Sequence, residues 1–494
     1  MTSAIAEANP TEHRRSSRLA TALLVVPMLV AYALLPFRAV TDPDYWWHVR
    51  TGQLIYETRS VPKADPFSYT ASGRPWVTHE WLTELAMYLV QRQFGYPGNA
   101  VLFGVIIALT WLAVYRTCRL RGLGETGALE FTLWAGAMSL GSLNARPQMI
   151  TAFFLAVFAL ILTLFRRGRR HLIWLLPPLM ALWVNLHGGY VIGLGLIVLA
   201  LAGELWSRLA AHNRQLPRDL ILCLFLSILV VPLNPHGFRE LAYPFSYAGS
   251  GNASMRMIVE WQSPNFHEPL LLVFCASLLL AVAVGVCGGS ASAADLLIGL
   301  AFTALALRSV RNIPLYAIVV TPILGERLGL WVRAVRRPFS AWRHRKLLLF
   351  TWPPVVLLLI IVMAVRGGGH LQLAREPSSE GYPAAAVAYL RAHPEDGRLF
   401  NDYGWGGYLI YELYPTRRVF IDGRADMYGD AFMETYLKAA NVSPGWRETL
   451  DHYQVRFVLV PKDGPLAGAL EGEPGWHLAC EGAVERLFVR AAEE

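Results

Sequence analysis

The stretch TDPDYWWHVRTG, residues 41–52, follows the first long apolar run of the chain, Leu19–Phe37. We therefore expect this stretch to lie where the chain leaves a membrane. It contains carboxylates, aromatic rings, a histidine and an arginine. Asp42 and Asp44 form a D-x-D pair, and paired carboxylates of this kind hold Mg²⁺ or Mn²⁺ against phosphate groups. One of them could instead act as a general base, or both could cap the helix that follows.

The composition is that of a membrane protein with many spans. The chain has 494 residues, of which 54% are hydrophobic and 16% charged. Runs of about 20 apolar residues cross a bilayer. The sequence predicts eleven spans, at about residues 19–37, 98–115, 126–143, 148–165, 172–185, 189–206, 219–235, 268–287, 293–308, 312–331 and 347–366. The first run could also be a cleaved signal peptide, but the small residues of a cleavage site are missing after it.

Clusters of arginine between the spans predict the topology. With eleven spans every strong cluster falls on one side, which the positive-inside rule makes cytoplasmic. We therefore predict a cytoplasmic tail (1–18), a transmembrane domain (19–366) with a large first periplasmic loop (38–97), and a periplasmic α/β domain (367–494). The short, arginine-rich loops favour a bacterial inner membrane. The same clusters account for the net charge of +8, so no nucleic-acid partner is expected.

The predicted outer loops contain patterned segments. YWWHVRTGQLIY (45–56) and HEWLTELAMYLVQRQFG (79–95) are spaced as two amphipathic helices that would lie along the membrane and frame a cavity. The tail alternates helical stretches with short apolar ones such as RRVFIDGR (417–424), which predicts a small α/β domain. Its motifs NDYGWGGYL (401–409) and FIDGRADMYGD (420–430) would form ligand-binding loops or ordinary turns.

Polar and ionisable residues at the predicted outer face are the candidate site. Together they supply cations for a phosphate group and acids for a metal ion or an acceptor. Besides Asp42 and Asp44, the candidate catalytic residues are His79 and Glu80. The candidate substrate-binding residues are His48, Arg50, Arg146, His187, His236, Glu260, Arg308, Arg311, Asp402, Tyr403, Asp422 and Arg424. Each could instead be a capping or snorkelling residue.

The layout and two segments resemble a known superfamily. An aspartate at the exit of the first span, two interfacial helices, many spans and an outer C-terminal domain resemble the GT-C superfamily of polyprenyl-phosphate-dependent glycosyltransferases. Residues 42–76 are similar to the first loop of oligosaccharyltransferase catalytic subunits, and NDYGWGGYL is similar to their Trp-Trp-Asp-Tyr-Gly motif. The resemblance places the catalytic, metal-binding aspartate at Asp44 or Asp42, and the end of the motif at Asp402, Tyr403 and Gly404.

The resemblance implies transfer of a sugar from a polyprenyl-phosphate or pyrophosphate carrier to a lipid, glycan or protein acceptor on the periplasmic face. Mg²⁺ or Mn²⁺ at Asp42 and Asp44 would assist; otherwise no cofactor is expected. A transferase of the protein mannosyltransferase or aminoarabinose transferase type, which needs no metal, fits equally well. Two alternatives are proteins that catalyse no reaction. One is a lipid or polysaccharide transporter or flippase, which should show inverted repeats, and the other is a scaffold for envelope assembly.

Overall fold

The computed structural model describes residues 22–23, 25–37, 42–246, 258–287, 291–335, 381–394 and 397–491. The helices before residue 336 are α1 (Val25–Phe37), α2 (Asp44–Thr58), α3 (Trp81–Leu120), α4 (Glu125–Ser139), α5 (Gln148–Arg166), α6 (Leu176–Leu186), α7 (Tyr190–Ala210), α8 (Arg218–Leu229), α9 (Phe238–Ser246), α10 (Leu272–Cys287), α11 (Ala293–Arg308) and α12 (Ile313–Val335). Local sequence explains their ends: α5 starts after Pro147 and is followed by Gly168 with a φ of 90°.

Within the described ranges, five helical segments are long and apolar enough to cross a membrane. They are Trp81–Leu120, Gln148–Arg166, Tyr190–Ala210, Pro269–Val286 and Val310–Val332. A helical membrane protein is thus confirmed at this coarse level. The count of eleven spans stays a prediction, because the other apolar helices are shorter and because 347–366 lies outside the described residues. The predicted tail 1–18 and the start of the C-terminal domain also lie outside them.

Helix α2 lies buried between α3 and the C-terminal part of the chain. Tyr45, on this helix, donates a hydrogen bond from its hydroxyl group to Gln91 of α3 at 2.6 Å. Trp46 is 1% exposed, and its ring lies 5.9 Å from that of Tyr408 and 5.0 Å from that of Tyr411. The helix therefore joins the two parts of the chain and does not lie on an open membrane surface.

The C-terminal part is a small α/β unit, as the sequence predicted. Its strands are β1 (Arg398–Asn401), β2 (Val455–Pro461), β3 (Trp476–Glu481) and β4 (Glu485–Arg490). They form a sheet in the order β1-β2-β4-β3, in which β1 and β2 are parallel and the other pairs antiparallel. Its helices are α13 (Ala384–Ala392), α14 (Gly406–Leu413), α15 (Ala425–Tyr428), α16 (Asp430–Ala440), α17 (Trp446–His452) and α18 (Pro465–Glu471).

The segment RRVFIDGR (417–424), predicted as a strand, pairs with the first loop instead of with the sheet. Val419 donates a backbone hydrogen bond to Phe67 at 3.1 Å and accepts one from Tyr69 at 3.1 Å. The side chain of Asn401, at the end of β1, accepts the backbone N–H of Phe420 and donates to the carbonyl oxygen of Ile421, both at 2.8 Å. These contacts attach the C-terminal part to the first loop, next to Asp422 and Arg424.

Candidate active site

A cavity of about 360 Å³ lies between the helical part and the C-terminal part. Its walls come from the first loop, the turns that precede α5, α7 and α12, the segment before α10, and the loops after β1 and before α16. Eleven of the residues that the sequence singled out line it: Asp42, Asp44, His48, His79, Glu80, Arg146, His187, Glu260, Arg311, Tyr403 and Arg424. The fold thus collects ionisable groups that are far apart in sequence.

The guanidinium of Arg146 contacts three carboxylates. Its Nε lies 2.8 Å from Asp42 Oδ2, its Nη2 lies 3.2 Å from Asp44 Oδ2, and its Nη1 lies 2.8 Å from Glu260 Oε1. The side chain is only 13% exposed, so water screens these contacts less than it would at an open surface. Arg146 therefore ties the first loop to the segment before α10.

Asp42 and Asp44 differ in their surroundings. Asp42 Oδ1 accepts the backbone N–H of Asp44 at 3.0 Å, which forms a turn at the start of α2, as in the capping alternative. Asp44 Oδ1 accepts the indole N–H of Trp47 at 3.0 Å, and its side chain is 21% exposed against 9% for Asp42. Burial, followed by the charge of Asp42, raises the pKa of Asp44 to about 7. Asp44 thus suits a general base, which works best with a pKa near the working pH.

Two glycines let the C-terminal part approach the first loop at Asp44. A Cβ atom on Gly423 would overlap Asp44 Oδ1, and a Cβ atom on Gly407 would overlap the carbonyl oxygen of Pro43. Both belong to the motifs that the sequence singled out in the tail. The missing side chains leave Asp44 held between Trp47 on one side and the backbone at Gly423 on the other.

Glu80 is the centre of a second, buried cluster. Its Oε1 lies 3.0 Å from His187 Nε2 and 3.3 Å from His79 Nε2, and its Oε2 lies 3.2 Å from His48 Nδ1. His48 Nδ1 also lies 3.0 Å from Glu84 Oε1. Burial alone would raise the pKa of Glu80, but the surrounding histidines hold it well below its ordinary value. Glu80 is therefore a carboxylate at neutral pH.

Hydrogen bonds assign the protons of two of these histidines. His187 Nδ1 accepts the backbone N–H of Gly189 at 2.9 Å, so its proton lies on Nε2 and is donated to Glu80. His79 contacts the carbonyl oxygen of Val77 through Nδ1 at 3.1 Å and Glu80 through Nε2, so both nitrogens donate. Burial would lower the pKa of His79, but Glu80 raises it to about 9. A carboxylate and an imidazolium thus face each other.

Arg311 lines the cavity next to an aromatic ring and an amide. Its guanidinium lies over the ring of Trp261, 5.3 Å from the centroid. When the amide of Gln148 presents its oxygen, this oxygen accepts a hydrogen bond from Arg311 Nη2 at 3.0 Å. Within the described part of the chain Arg311 forms no ion pair with a carboxylate, so its charge is available to an anionic ligand.

Arg50, Arg308 and Asp402 do not line the cavity. Arg50 donates a hydrogen bond to the carbonyl oxygen of Tyr414. Arg308 is the last residue of α11 and is exposed. Asp402 accepts the backbone N–H of Gly404 at 2.8 Å and caps the turn after β1. Arg50 and Asp402 thus hold backbone segments in place.

His236 and Asp422 lie outside the lining; His236 contacts a residue next to it, and Asp422 contacts the lining residue Arg424. His236 Nε2 accepts the backbone N–H of Thr78 at 3.1 Å. Asp422 binds Arg424 through two hydrogen bonds of 2.7 Å, and Arg424 Nη2 also lies 2.8 Å from Asp65 Oδ1 of the first loop. All three members of this ion group are buried. The group fastens the C-terminal part to the first loop.

Sequence reasoning missed seven residues of the site. They are the lining residues Trp47, Trp76, Gln148, Trp261, Asp426 and Asp430, and Glu84 beside them. Two carried a usable signal: Glu84 follows Glu80 by four positions and Trp47 follows Asp44 by three, spacings that share one helix face. Asp426 and Asp430 lie in FIDGRADMYGD (420–430), which the sequence singled out only as a motif. The other three have no local pattern that separates them from core or surface residues.

The pair Asp42 and Asp44 does not fit the Mg²⁺ or Mn²⁺ ion suggested for it. The guanidinium of Arg146 contacts both carboxylates, so an ion bound there would be placed against a positive charge. A different set fits better: His48, Glu80 and Glu84 each offer one ligand atom, and these atoms lie within 4.8 Å of one another. That set could hold a divalent ion once His48 Nδ1 gives up the hydrogen that it directs at Glu84.

The fold of this chain is similar to that of proteins of known structure. No protein-family model and no curated protein matches the sequence. The archaeal oligosaccharyltransferase AglB from Archaeoglobus fulgidus, solved with an inhibitory peptide and a dolichol-phosphate, matches with a TM-score of 0.60 at 12% identity, over 90% of this chain and 70% of that chain. ArnT from Cupriavidus metallidurans, bound to undecaprenyl phosphate, matches with a TM-score of 0.55 at 14% identity, over 97% and 100%. Both are GT-C glycosyltransferases.

The chain has the GT-C fold. The resemblance that the first loop and the tail motif suggested is thus confirmed, at the level of the fold. The cavity is lined by residues of both the first loop and the C-terminal α/β unit.

Proposed function

We propose that this chain is a membrane glycosyltransferase that moves a sugar from a polyprenyl-phosphate carrier to an acceptor. One observation carries the proposal: a single cavity of a GT-C fold holds both a candidate base, Asp44, and Arg311, a cation that forms no ion pair with any acidic residue the structure describes. A plain helical bundle has no need to place these groups together, because each ionisable group that leaves water costs free energy.

The arrangement supports a displacement at the anomeric carbon of the sugar. Asp44 accepts the proton of the acceptor hydroxyl or amide as the acceptor atom forms its bond to that carbon. The bond from the carbon to the phosphate oxygen breaks, and the carrier phosphate leaves with the electron pair. Arg311 stabilises the negative charge that grows on this phosphate. The hydrogen bond from Trp47 holds the Asp44 carboxylate in one orientation.

His79 and Glu80 have a positioning role in this proposal. Both nitrogens of His79 are engaged, and Glu80 contacts three histidines. These histidines hold the pKa of Glu80 well below its ordinary value, which makes it a weak base. Together with Glu84, His79 and Glu80 hold His48 at the wall of the cavity, beside Trp47. Asp42 has a similar task, since it turns the backbone at Asp44 and contacts Arg146.

We place the reaction at the outer face of a bacterial inner membrane, with the N-terminus in the cytoplasm. The arginine clusters support this orientation through the positive-inside rule. Sugar nucleotides stay in the cytoplasm, so a donor at the outer face has to arrive on a lipid.

The test uses the full-length chain, reconstituted into proteoliposomes together with membranes from the cells in which the chain occurs. These are given a panel of undecaprenyl-phosphate sugars with a radiolabelled sugar, and transfer to lipid, glycan and protein fractions is counted. We expect wild-type chain to label one fraction and Asp44→Asn to label it at least about 100-fold more slowly. Equal labelling by both would refute the proposal. So would no transfer from any donor.

A further inference from the structure

Two carboxylates face one histidine at the start of α3. Glu80 and Glu84 are four positions apart, and His48 Nδ1 of α2 lies 3.2 Å from Glu80 Oε2 and 3.0 Å from Glu84 Oε1. All three side chains are buried, with at most 10% exposed. Like charges four positions apart on a helix repel each other, and burial strengthens the repulsion. A divalent cation between the two carboxylates would remove it.

The hydrogen bonds of this cluster leave carboxylate oxygens unsatisfied. One hydrogen can lie between His48 Nδ1 and Glu84 Oε1. No donor among the described residues bonds to Glu80 Oε2 or to Glu84 Oε2, although both atoms are buried. Buried polar atoms without a partner are rare in folded proteins, and each needs an explanation. Glu80 Oε2 faces the same point as His48 Nδ1, so a cation bound there would satisfy it.

The surroundings hold these side chains in place. A Cβ atom on Gly52 of α2 would overlap the carbonyl oxygen of Glu84, so α2 and α3 meet backbone to backbone beside the cluster. On the other side of Glu80, His79 and His187 contact its second oxygen, Oε1, at 3.3 and 3.0 Å. Hydrogen-bond donors of this kind orient carboxylates that bind metal ions.

The ligand atoms indicate which ion fits. They are one imidazole nitrogen and two carboxylate oxygens, within 4.8 Å of one another. Imidazole suits Zn²⁺ and related transition-metal ions, whereas Mg²⁺ and Ca²⁺ prefer oxygen ligands alone. Zn²⁺ bonds of about 2.0 to 2.2 Å at tetrahedral angles place ligand atoms about 3.3 to 3.5 Å apart. The distances of 3.2 and 3.0 Å from His48 Nδ1 to the two oxygens are only slightly shorter.

We propose that His48, Glu80 and Glu84 bind one divalent transition-metal ion of the Zn²⁺ class between α2 and α3. The ion replaces the hydrogen between His48 and Glu84, which leaves as a proton, and the two carboxylates match its charge. His48 and Glu80 line the cavity, so the ion can enter from there. The site is separate from Asp42 and Asp44, goes beyond the proposed function and does not depend on sugar transfer. Its role is to fasten α2, which begins at Asp44, to the start of α3.

Zinc binding by the full-length chain in detergent tests the site without any sugar donor. The chain is stripped with EDTA, and Zn²⁺ is titrated in competition with a chromophoric chelator. We expect wild type to bind one Zn²⁺ more than His48→Ala, and MgCl₂ not to compete for this ion. Zn²⁺ should also raise the midpoint of thermal unfolding of wild type, because the folded state brings the ligands together. Wild type that binds no Zn²⁺, or binds Mg²⁺ equally well, would overturn the proposal whether or not a variant folds.

Variants separate this site from adventitious binding at surface histidines. His48→Ala and Glu84→Gln each remove a ligand atom and should weaken binding more than about 100-fold, since loss of an outer contact alone costs about 10- to 100-fold. His187→Ala removes such an outer contact with Glu80 and should have the smaller effect. The matched control is Glu240→Gln. Glu240 is 1% exposed, and its carboxylate oxygens also lack a described hydrogen bond, but it lies outside the set of three, so binding should be unchanged.

Two further results would overturn the proposal. Equal Zn²⁺ binding by wild type, His48→Ala and Glu84→Gln, each eluting as a folded chain in gel filtration, would show adventitious binding only. Equal losses in Glu240→Gln and Glu84→Gln would show that burial of a carboxylate matters and not its place in the set. Failure here can be told apart from failure of the proposed function. A zinc site in a chain that transfers no sugar would keep this inference and refute the glycosyltransferase, and transfer by a chain that binds no Zn²⁺ would do the reverse.

Discussion

At the scale of single residues, Asp42 and Asp44 differ in their surroundings, although the sequence left them equivalent. Asp44 is the more exposed of the two, whereas Asp42 turns the backbone and contacts Arg146. We predict that Asp44→Asn lowers the single-turnover rate of transfer by about 10²- to 10⁴-fold, as expected for loss of a general base. Asp42→Asn keeps a side chain that can form the same turn and should cost about tenfold or less. The reverse order of the two effects would assign the base to Asp42.

The pKa of Asp44 predicts the pH dependence of the reaction. Burial raises this pKa to about 7, and the carboxyl must lose its proton before it can act as a base. Transfer at subsaturating donor should therefore increase as the pH rises to about 7 and level off above it. Initial rates measured from about pH 5 to about pH 9 check this. A rate that is constant across the acid half of this range would mean that Asp44 is not the titrating base.

At the scale of elements, a glycine loop of the C-terminal part holds Asp44 of helix α2 in place. We predict that Gly423→Ala displaces the Asp44 carboxylate, because the new methyl group would overlap Oδ1. A displacement of about 1 Å can cost about 100-fold in rate, so transfer should fall by that order. The matched control is Gly468→Ala in α18, where an added methyl group meets open space. Equal activity of the two variants would show that the close approach at Gly423 does not position the base.

Local elements were predictable from the sequence, and contacts between distant segments were not. Apolar runs predicted where the helices of the membrane part lie, because hydrophobicity and helix formation are local properties. The segment RRVFIDGR (417–424) looked like a strand for the same reason. Its partner in the structure is the first loop, more than three hundred positions away, and no local pattern encodes that choice.

The candidate site shows the same division. The predicted topology puts all polar loops on the outer side of the membrane. Most of the lining residues were therefore predicted to lie together, because the ends of spans on one side of a membrane are neighbours. The sequence could not predict that Arg146 would contact Asp42, Asp44 and Glu260, since this depends on how three loops fold over one another. It therefore proposed a metal ion where the structure has a guanidinium.

At the scale of the whole molecule, the cavity exists only while the C-terminal part stays attached to the first loop. The buried group of Arg424, Asp422 and Asp65 makes this attachment. We predict that Asp65→Asn destabilises the chain by about 3 kcal/mol, because a buried guanidinium loses a counter-charge. The midpoint of thermal unfolding in detergent and the rate of proteolysis after residue 397 measure the effect. Arg447→Gln breaks an exposed ion pair with Glu473 and is the control that should change neither.

The most direct test of the account is a cryo-electron microscopy structure of the full-length chain in a nanodisc with undecaprenyl phosphate. The account predicts density for the phosphate in the cavity, within hydrogen-bond distance of Arg311, with Asp44 next to it and the lipid tail leaving between helices. Phosphate density at another site on the protein, with this cavity empty, would contradict it.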